Sequence, residues 1–120
     1  MFSAIRVMSL YGRAVARNRK GRREEALQAL LKASDILKRQ PEDSRAPWVL
    51  SQYVSISQFI GLLGAKLGHP GIELDTVARG LRVWATQASE NPKLRTVPGL
   101  VEWERWARQL VQGSEGSDRK

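Results

Sequence analysis

The side chains that could support catalysis in this sequence are three acidic pairs and one histidine. The pairs are Glu24 with Glu25, Glu42 with Asp43, and Glu102 with Glu104. Catalysis by a pair of carboxyls requires that both converge on one substrate, whereas neighbours one or two positions apart on a helix diverge. His69 stands between Gly68 and Pro70, in a predicted turn. These patterns do not predict an active site.

The sequence also lacks the usual motifs for a cofactor or a metal. Cysteine is absent, so neither a disulfide framework nor a cysteine metal site can form. No glycine-rich phosphate loop follows a strand, because no strand pattern is found. We therefore predict a non-enzyme without cofactor or metal, in the cytoplasm. The alternative is a mitochondrial location, because the Arg-rich, acid-free N-terminus resembles a presequence.

Positive charge is concentrated in the first third of the chain. Residues 1–40 carry ten Lys or Arg against three acids, a net +7, and residues 41–120 carry ten against nine, a net +1. The cations near the first predicted turn form a candidate patch for an anionic partner: Arg13, Arg17, Lys20, Arg22 and Arg23. Nucleic acid, an acidic protein segment or an anionic membrane surface would meet this end first.

The elements that position these residues are predicted to be five helices, one of which is central and is covered by the others. Apolar residues recur at helical spacing over residues 2–19, 23–38, 48–67, 73–89 and 98–112. Residues 48–67 contain only one charge, Lys66, and five polar side chains in their first eleven positions, which predicts a buried helix and not a membrane span. The result is an all-α domain over residues 1–112 and a flexible tail over residues 113–120.

Short connections predict two antiparallel helical hairpins plus a C-terminal capping helix. Three residues, Lys20 to Arg22, separate the first two helices, and such a short connection makes the two helices antiparallel. On the first helix Ile5, Met8, Gly12, Val15 and Arg19 follow one stripe.

Small residues recur in both hairpins. In the first, Ala14 precedes Gly21 by seven residues, and Glu24, Glu25, Ala26, Leu30 and Ala33 follow. In the second, Ile60 and Gly61 precede Gly68, and Ala78 and Ala85 follow after a turn that is five residues longer. Over residues 8–92 this pattern resembles tetratricopeptide repeats, in which small side chains let two helices approach closely. An unrelated helical bundle with small residues at its contacts is the alternative.

The resemblance implies a scaffold that binds a segment of another protein. The positions that match the family's groove include Met8, Tyr11, Val15, Asn18 and Arg19. A partly apolar, Arg-rimmed groove suits an amphipathic or acidic segment. Taken singly, Met8 and Val15 could instead pack on the central helix.

The first helix carries further apolar residues, Phe2, Ile5, Leu10 and Tyr11, for which the sequence offers no cover. We expect this face to dock on a partner or on a second copy, and an acidic partner avoids bringing two positive hairpins together. The predicted function is a protein-interaction adaptor or scaffold. A nucleic-acid-binding protein that uses the basic hairpin is the main alternative, and attachment to an anionic membrane is another.

Overall fold

The structure is a computed structural model that describes the backbone of residues 2–118 and the side chains of residues 3–113. Its elements are α1 (Phe2–Arg19), α2 (Arg23–Lys38), α3 (Pro47–Lys66), α4 (Leu74–Glu90), a 3-10 helix (Pro92–Thr96) and α5 (Pro98–Asp118). The described residues contain no strand. The predicted all-α class is therefore confirmed.

Glycines end α1 and α3 where the sequence predicts those helices to stop. Gly21 has a φ of 77° and Gly68 a φ of 80°, values in the left-handed region that glycine adopts without strain. After α1, the Arg22 amide donates to the Arg17 carbonyl at 2.9 Å and the Gly21 amide donates to the Asn18 carbonyl at 3.0 Å. These bonds close the helix end, so the chain reverses direction within three residues.

Two segments near the C-terminus differ from prediction. The basic stretch before α5 forms the 3-10 helix, and α5 continues to Asp118, past the predicted end at Gln112. No proline follows Gln112, so no residue in this stretch lacks the amide that continues the helix. The predicted tail, residues 113–120, overlaps the end of α5, and its residues 119 and 120 lie outside the described residues.

The central position of α3 agrees with the sequence, but only part of its surface is covered. α3 contacts α1, α2 and α4, and Tyr53, Ile56, Ile60 and Leu63 are buried along one side. Leu62 is 51% exposed. The prediction of a buried helix therefore holds for one side of α3 and fails at Leu62, because the other helices surround only part of its circumference.

The face of α1 that packs on the core is not the predicted stripe, because it is rotated by about one residue. Val7 and Ala14 are fully buried, whereas Ile5 and Met8 are 60% and 58% exposed. Adjacent residues on a helix point about 100° apart, so a shift of one position changes which apolar residues reach the core. Ala14 belongs to the same buried cluster as several alanines of α2, and such small side chains permit close helix contact.

Buried polar contacts join helices that are distant in sequence. The hydroxyls of Ser34 on α2 and Thr76 on α4 are 2.7 Å apart. The side-chain amide of Gln87 on α4 donates to the carbonyls of Ser44 and Ala46, at 3.1 and 2.9 Å, in the loop before α3. Each bond satisfies groups that would otherwise be buried without a partner, which fixes α4 against α2 and the loop.

Candidate interaction surfaces

A groove lies between α1 and α2, on the basic end of the molecule. It has a volume of about 430 Å³, and we call it the basic groove. Its lining consists of Ile5, Arg6, Ser9, Leu10 and Arg13 from α1, and Lys32, Asp35, Ile36 and Arg39 from α2. On each helix these residues lie three or four positions apart or side by side, so they share one face.

The charges along the basic groove have no partner within the described residues. Four cations, Arg6, Arg13, Lys32 and Arg39, lie beside a single carboxylate, Asp35. None of the five takes part in any ion pair formed by the described residues. Four cations against one acid leave the groove with a net positive charge that no ion pair neutralises.

The floor of the basic groove is apolar. Ile36 is buried, Leu10 is half-buried, and Ile5 is largely exposed. Apolar residues flanked by cations form a surface that can bury an apolar side chain and pair with acids at its edges. Two residues predicted to dock on a partner, Ile5 and Leu10, thus lie in this groove, whereas the side chain of Phe2 lies outside the described residues.

The five residues predicted to bind a partner lie outside the basic groove. The Tyr11 ring packs edge-to-face on Phe59 of α3, with ring centroids 5.9 Å apart and an angle of 70° between the planes. This contact joins α1 to α3. Met8 and Arg19 are exposed, and Val15 and Asn18 are half-buried.

The predicted anionic-partner patch is divided among four settings. Arg13 lies in the basic groove. Arg17 and Arg22 both pair with Glu25, at 3.2 and 3.7 Å. Lys20 is exposed in the turn between α1 and α2. Arg23 lines a shallow depression with Arg22 and Glu25. Only Arg13 therefore contributes to the set of unpaired cations around an apolar floor.

Sequence reasoning missed the contribution of α2 to the groove. Lys32, Ile36 and Arg39 are spaced by four and three residues, which places them on one face of a helix. That spacing was available from the sequence. The sequence did not show that this face of α2 lies beside Arg6 and Arg13, because that contact depends on the rotation of α1 about its axis.

Three shifted pKa values have structural causes. Burial raises the pKa of Tyr53 to about 12. A hydrogen bond from Lys38 lowers the pKa of Asp75, and the Lys38 Nζ lies 2.8 Å from the Asp75 Oδ2. Burial alone would raise the pKa of Glu104, but hydrogen bonds from Trp84 and Arg108 outweigh it and lower this pKa. These groups join helices, and none lines the basic groove.

Residues of the described range bring no three His, Asp or Glu side chains into an arrangement that could hold a metal ion. Among the helices described, none combines the length and apolar character needed to cross a bilayer.

No protein-family model, no curated protein and no solved structure matches this chain.

Proposed function

We propose that this chain is a non-catalytic protein-interaction module that holds an acidic amphipathic helix in the basic groove. The observation that carries the proposal is the set of four unpaired cations beside an apolar floor. An amphipathic helix docks by placing its apolar face in a groove. Glutamates or aspartates at the edges of that face would pair with Arg6, Arg13, Lys32 and Arg39.

The scaffold in this proposal consists of two antiparallel hairpins capped by α5, in a tetratricopeptide-like arrangement. Arg17 near the end of α1 pairs with Glu25 near the start of α2, and the start of α1 lines the groove with the end of α2. Both observations support an antiparallel first hairpin.

Contacts between alternate helices support the stacking. The Tyr11 ring on α1 meets the Phe59 ring on α3, and Trp103 on α5 donates a hydrogen bond to Ser57 on α3. In the other layer Ser34 on α2 meets Thr76 on α4. A layer of α1, α3 and α5 beside a layer of α2 and α4 is the arrangement expected of stacked hairpins.

The groove favours an acidic protein segment over nucleic acid. Phosphate contacts need cations and no apolar surface, whereas an apolar side chain that packs on Ile5 and Leu10 in the groove removes them from water. A second copy of the chain would bring the same four cations to the interface, which costs electrostatic energy.

The proposal is tested with a fluorescently labelled synthetic helix of about 18 residues, ~27 Å long, that carries leucines on one face and glutamates beside them. A second peptide replaces every glutamate with lysine, and a third probe is a single-stranded DNA oligonucleotide. Fluorescence anisotropy at about 0.15 M salt reports each affinity. We expect the acidic helix to bind and the lysine helix not to bind.

Two charge-matched double variants identify the site. Arg6→Glu with Arg39→Glu reverses one cation on each side of the groove, and Arg19→Glu with Arg23→Glu reverses two cations outside it. The groove variant should weaken acidic-helix binding by about tenfold or more, which is ~1.4 kcal/mol, and the outer variant by less than about threefold, because distant exposed charges are screened.

Three outcomes would overturn the proposal. Equal loss in both variants would mean that net charge alone attracts the peptide. Tighter binding of DNA, abolished by the outer variant, would favour the nucleic-acid alternative. A dimer by light scattering that the groove variant disrupts would place a second copy in the groove.

A further inference from the structure

A second site differs from the basic groove in charge, because its charged side chain is a carboxylate. A pocket of about 370 Å³ opens between α3 and α5 beside the start of α4, and we call it the Glu73 pocket. It is lined by Gln58, Gly61, Leu62, Glu73, Trp106 and Leu110. It shares no residue with the basic groove, and the inference below does not depend on the proposed function.

Glu73 is an unusual residue to find in such a place. Its side chain is only 7% exposed, and its Oε2 atom is buried without a hydrogen bond to any described residue. It takes part in none of the ion pairs of the described chain. A buried carboxylate without a partner is costly, and glutamates are rarely buried unless they are paired. This pocket therefore contains an acceptor whose capacity the chain does not fill.

Gly61 provides the floor between the carboxylate and an aromatic ring. A Cβ atom placed on Gly61 would lie 3.5 Å from the Glu73 Cδ and 3.6 Å from the Trp106 Cζ2. The carboxyl group and the indole therefore both border the same small volume above the helix backbone. A cation in that volume would pair with Glu73, and over the face of the Trp106 ring it would also gain a cation–π contact.

The rim of the pocket is apolar and partly open. Leu62 is 51% exposed, and Leu110 and Trp106 are half-buried. Such a rim would contact the methylene stem of a ligand while the charged end reaches Glu73. Neither oxygen of the Glu73 carboxylate accepts a hydrogen bond from a described side chain, and the residue is only 7% exposed. A compact ammonium on a flexible stem reaches such a narrow opening more readily than a planar guanidinium.

We propose that the Glu73 pocket binds a primary alkylammonium group, with Glu73 as the acceptor and Leu62, Trp106 and Leu110 around the alkyl stem. The side chain of a peptide lysine and a free alkylamine share this chemistry. A neighbouring depression shares Gln58 and Trp106 with the pocket and includes Glu102, so a peptide that carries the ammonium has adjoining surface to contact.

The test uses nuclear magnetic resonance of the full chain, read from the indole N–H signals of its four tryptophans. The Trp106 signal is assigned with the Trp106→Phe variant. The probes are n-butylammonium chloride, its neutral analogue n-butanol, and N-acetyl-lysine N-methylamide, which presents the ammonium as a peptide does. We expect a saturable shift of the Trp106 signal with both ammonium probes and none with n-butanol.

Two variants remove the site in different ways. Glu73→Gln keeps the shape of the side chain and removes the charge, and it should weaken binding by at least about tenfold. Gly61→Ala places a methyl group on the floor at ordinary contact distances, so it should fold normally while it occupies the ligand's volume. Glu24→Gln, which removes an exposed charge at the start of α2, is the matched control and should bind as the unaltered chain does.

The result distinguishes the source of the ligand as well as the site. Tighter binding of the lysine derivative than of n-butylammonium would indicate a peptide, and the reverse order a free amine. The proposal is overturned if n-butanol shifts the Trp106 signal as the amine does, if no probe gives a saturable shift, or if both Glu73→Gln and Gly61→Ala bind unchanged.

Discussion

Trp103 of α5 donates a hydrogen bond from its indole Nε1 to the hydroxyl oxygen of Ser57 on α3, at 3.0 Å. Both side chains are completely buried. The Ser57 hydroxyl itself donates to the Val54 carbonyl at 3.3 Å, so its oxygen is available to accept. Every polar group of this contact is thereby satisfied. The C-terminal helix is joined to the central helix through the core.

Ser57→Ala should destabilise the domain, because it leaves the Trp103 N–H buried without an acceptor. The expected loss is about 1–3 kcal/mol in the free energy of unfolding, measured by urea denaturation. Ser51→Ala on the exposed side of the same helix is the control and should change stability by less than about 0.5 kcal/mol. Equal midpoints for the two variants would mean that the Trp103 contact contributes nothing.

Ile60→Asp should destabilise the domain by several kcal/mol, because Ile60 is fully buried and an unpaired charge would replace it. The matched control is Gln58→Asp, which places the same carboxylate on the exposed face of α3. Thermal melts followed by circular dichroism give both values. A melt of Ile60→Asp indistinguishable from that of Gln58→Asp would refute the central role of α3.

Two glycines within helices should respond oppositely to alanine. A Cβ on Gly80 would lie 3.1 Å from the Trp103 ring and 3.2 Å from the Tyr53 Cβ, whereas nothing lies within 4 Å of a Cβ on Gly12. Gly12→Ala should therefore stabilise the domain by up to about 1 kcal/mol through helix propensity.

Gly80→Ala should instead destabilise by about 1–3 kcal/mol, because the surrounding side chains must move. Both variants replace a helical glycine with alanine and so gain the same helix propensity. The difference between their urea midpoints therefore measures the cost of packing the added methyl group at Gly80. A Gly80→Ala protein as stable as Gly12→Ala would show that α4 and α5 are not closely packed at this point.

The ends of α1 and α3 and the start of α5 could be predicted because local residues determine them. Gly21 and Gly68 adopt positive φ angles at the ends of α1 and α3, and Pro98 begins α5. Each effect requires only the residue and its immediate neighbours. Local signals of this kind are visible in a single sequence.

The faces of the helices were harder to predict, because they depend on contacts between distant residues. On α1 both Val7 and Met8 are apolar, so periodicity alone does not decide which of them is buried. Glu25 pairs with Arg17 from the preceding helix, which removed that arginine from the predicted patch. Glu73 follows a turn with two glycines, and its sequence context gives no sign that its side chain is buried.

The last prediction concerns the acid stability of the junction between α4 and α5. The Glu104 carboxylate accepts a hydrogen bond from the Trp84 indole at 2.7 Å and two from Arg108, at 3.1 and 2.9 Å. Burial raises the pKa of Glu104, but these donors outweigh it, so the pKa in the folded chain lies below the ordinary value of 4.5. The Arg95 guanidinium lies 5.9 Å from the centre of the Trp84 ring, beside the same junction.

A carboxyl group whose pKa is lower in the folded than in the unfolded chain stabilises the fold above the unfolded value. Its contribution is therefore complete above pH 4.5 and is lost as the pH falls below 4.5 and through the folded pKa. Glu104→Gln should destabilise the domain by about 1.5–3 kcal/mol at neutral pH, and the difference from the unaltered chain should shrink below pH 4.5. Urea denaturation at pH 7, 5, 4 and 3 measures this dependence.

Glu102→Gln on the same helix is the control, because Glu102 is exposed and forms none of the ion pairs of the described residues. The free energy of unfolding of Glu102→Gln should equal that of the unaltered chain at every pH. Both should lose the stability at low pH that Asp75 contributes, because the pKa of Asp75 is also lowered. If Glu104→Gln and Glu102→Gln give parallel curves, the Trp84 and Arg108 contacts do not stabilise the ionised form of Glu104.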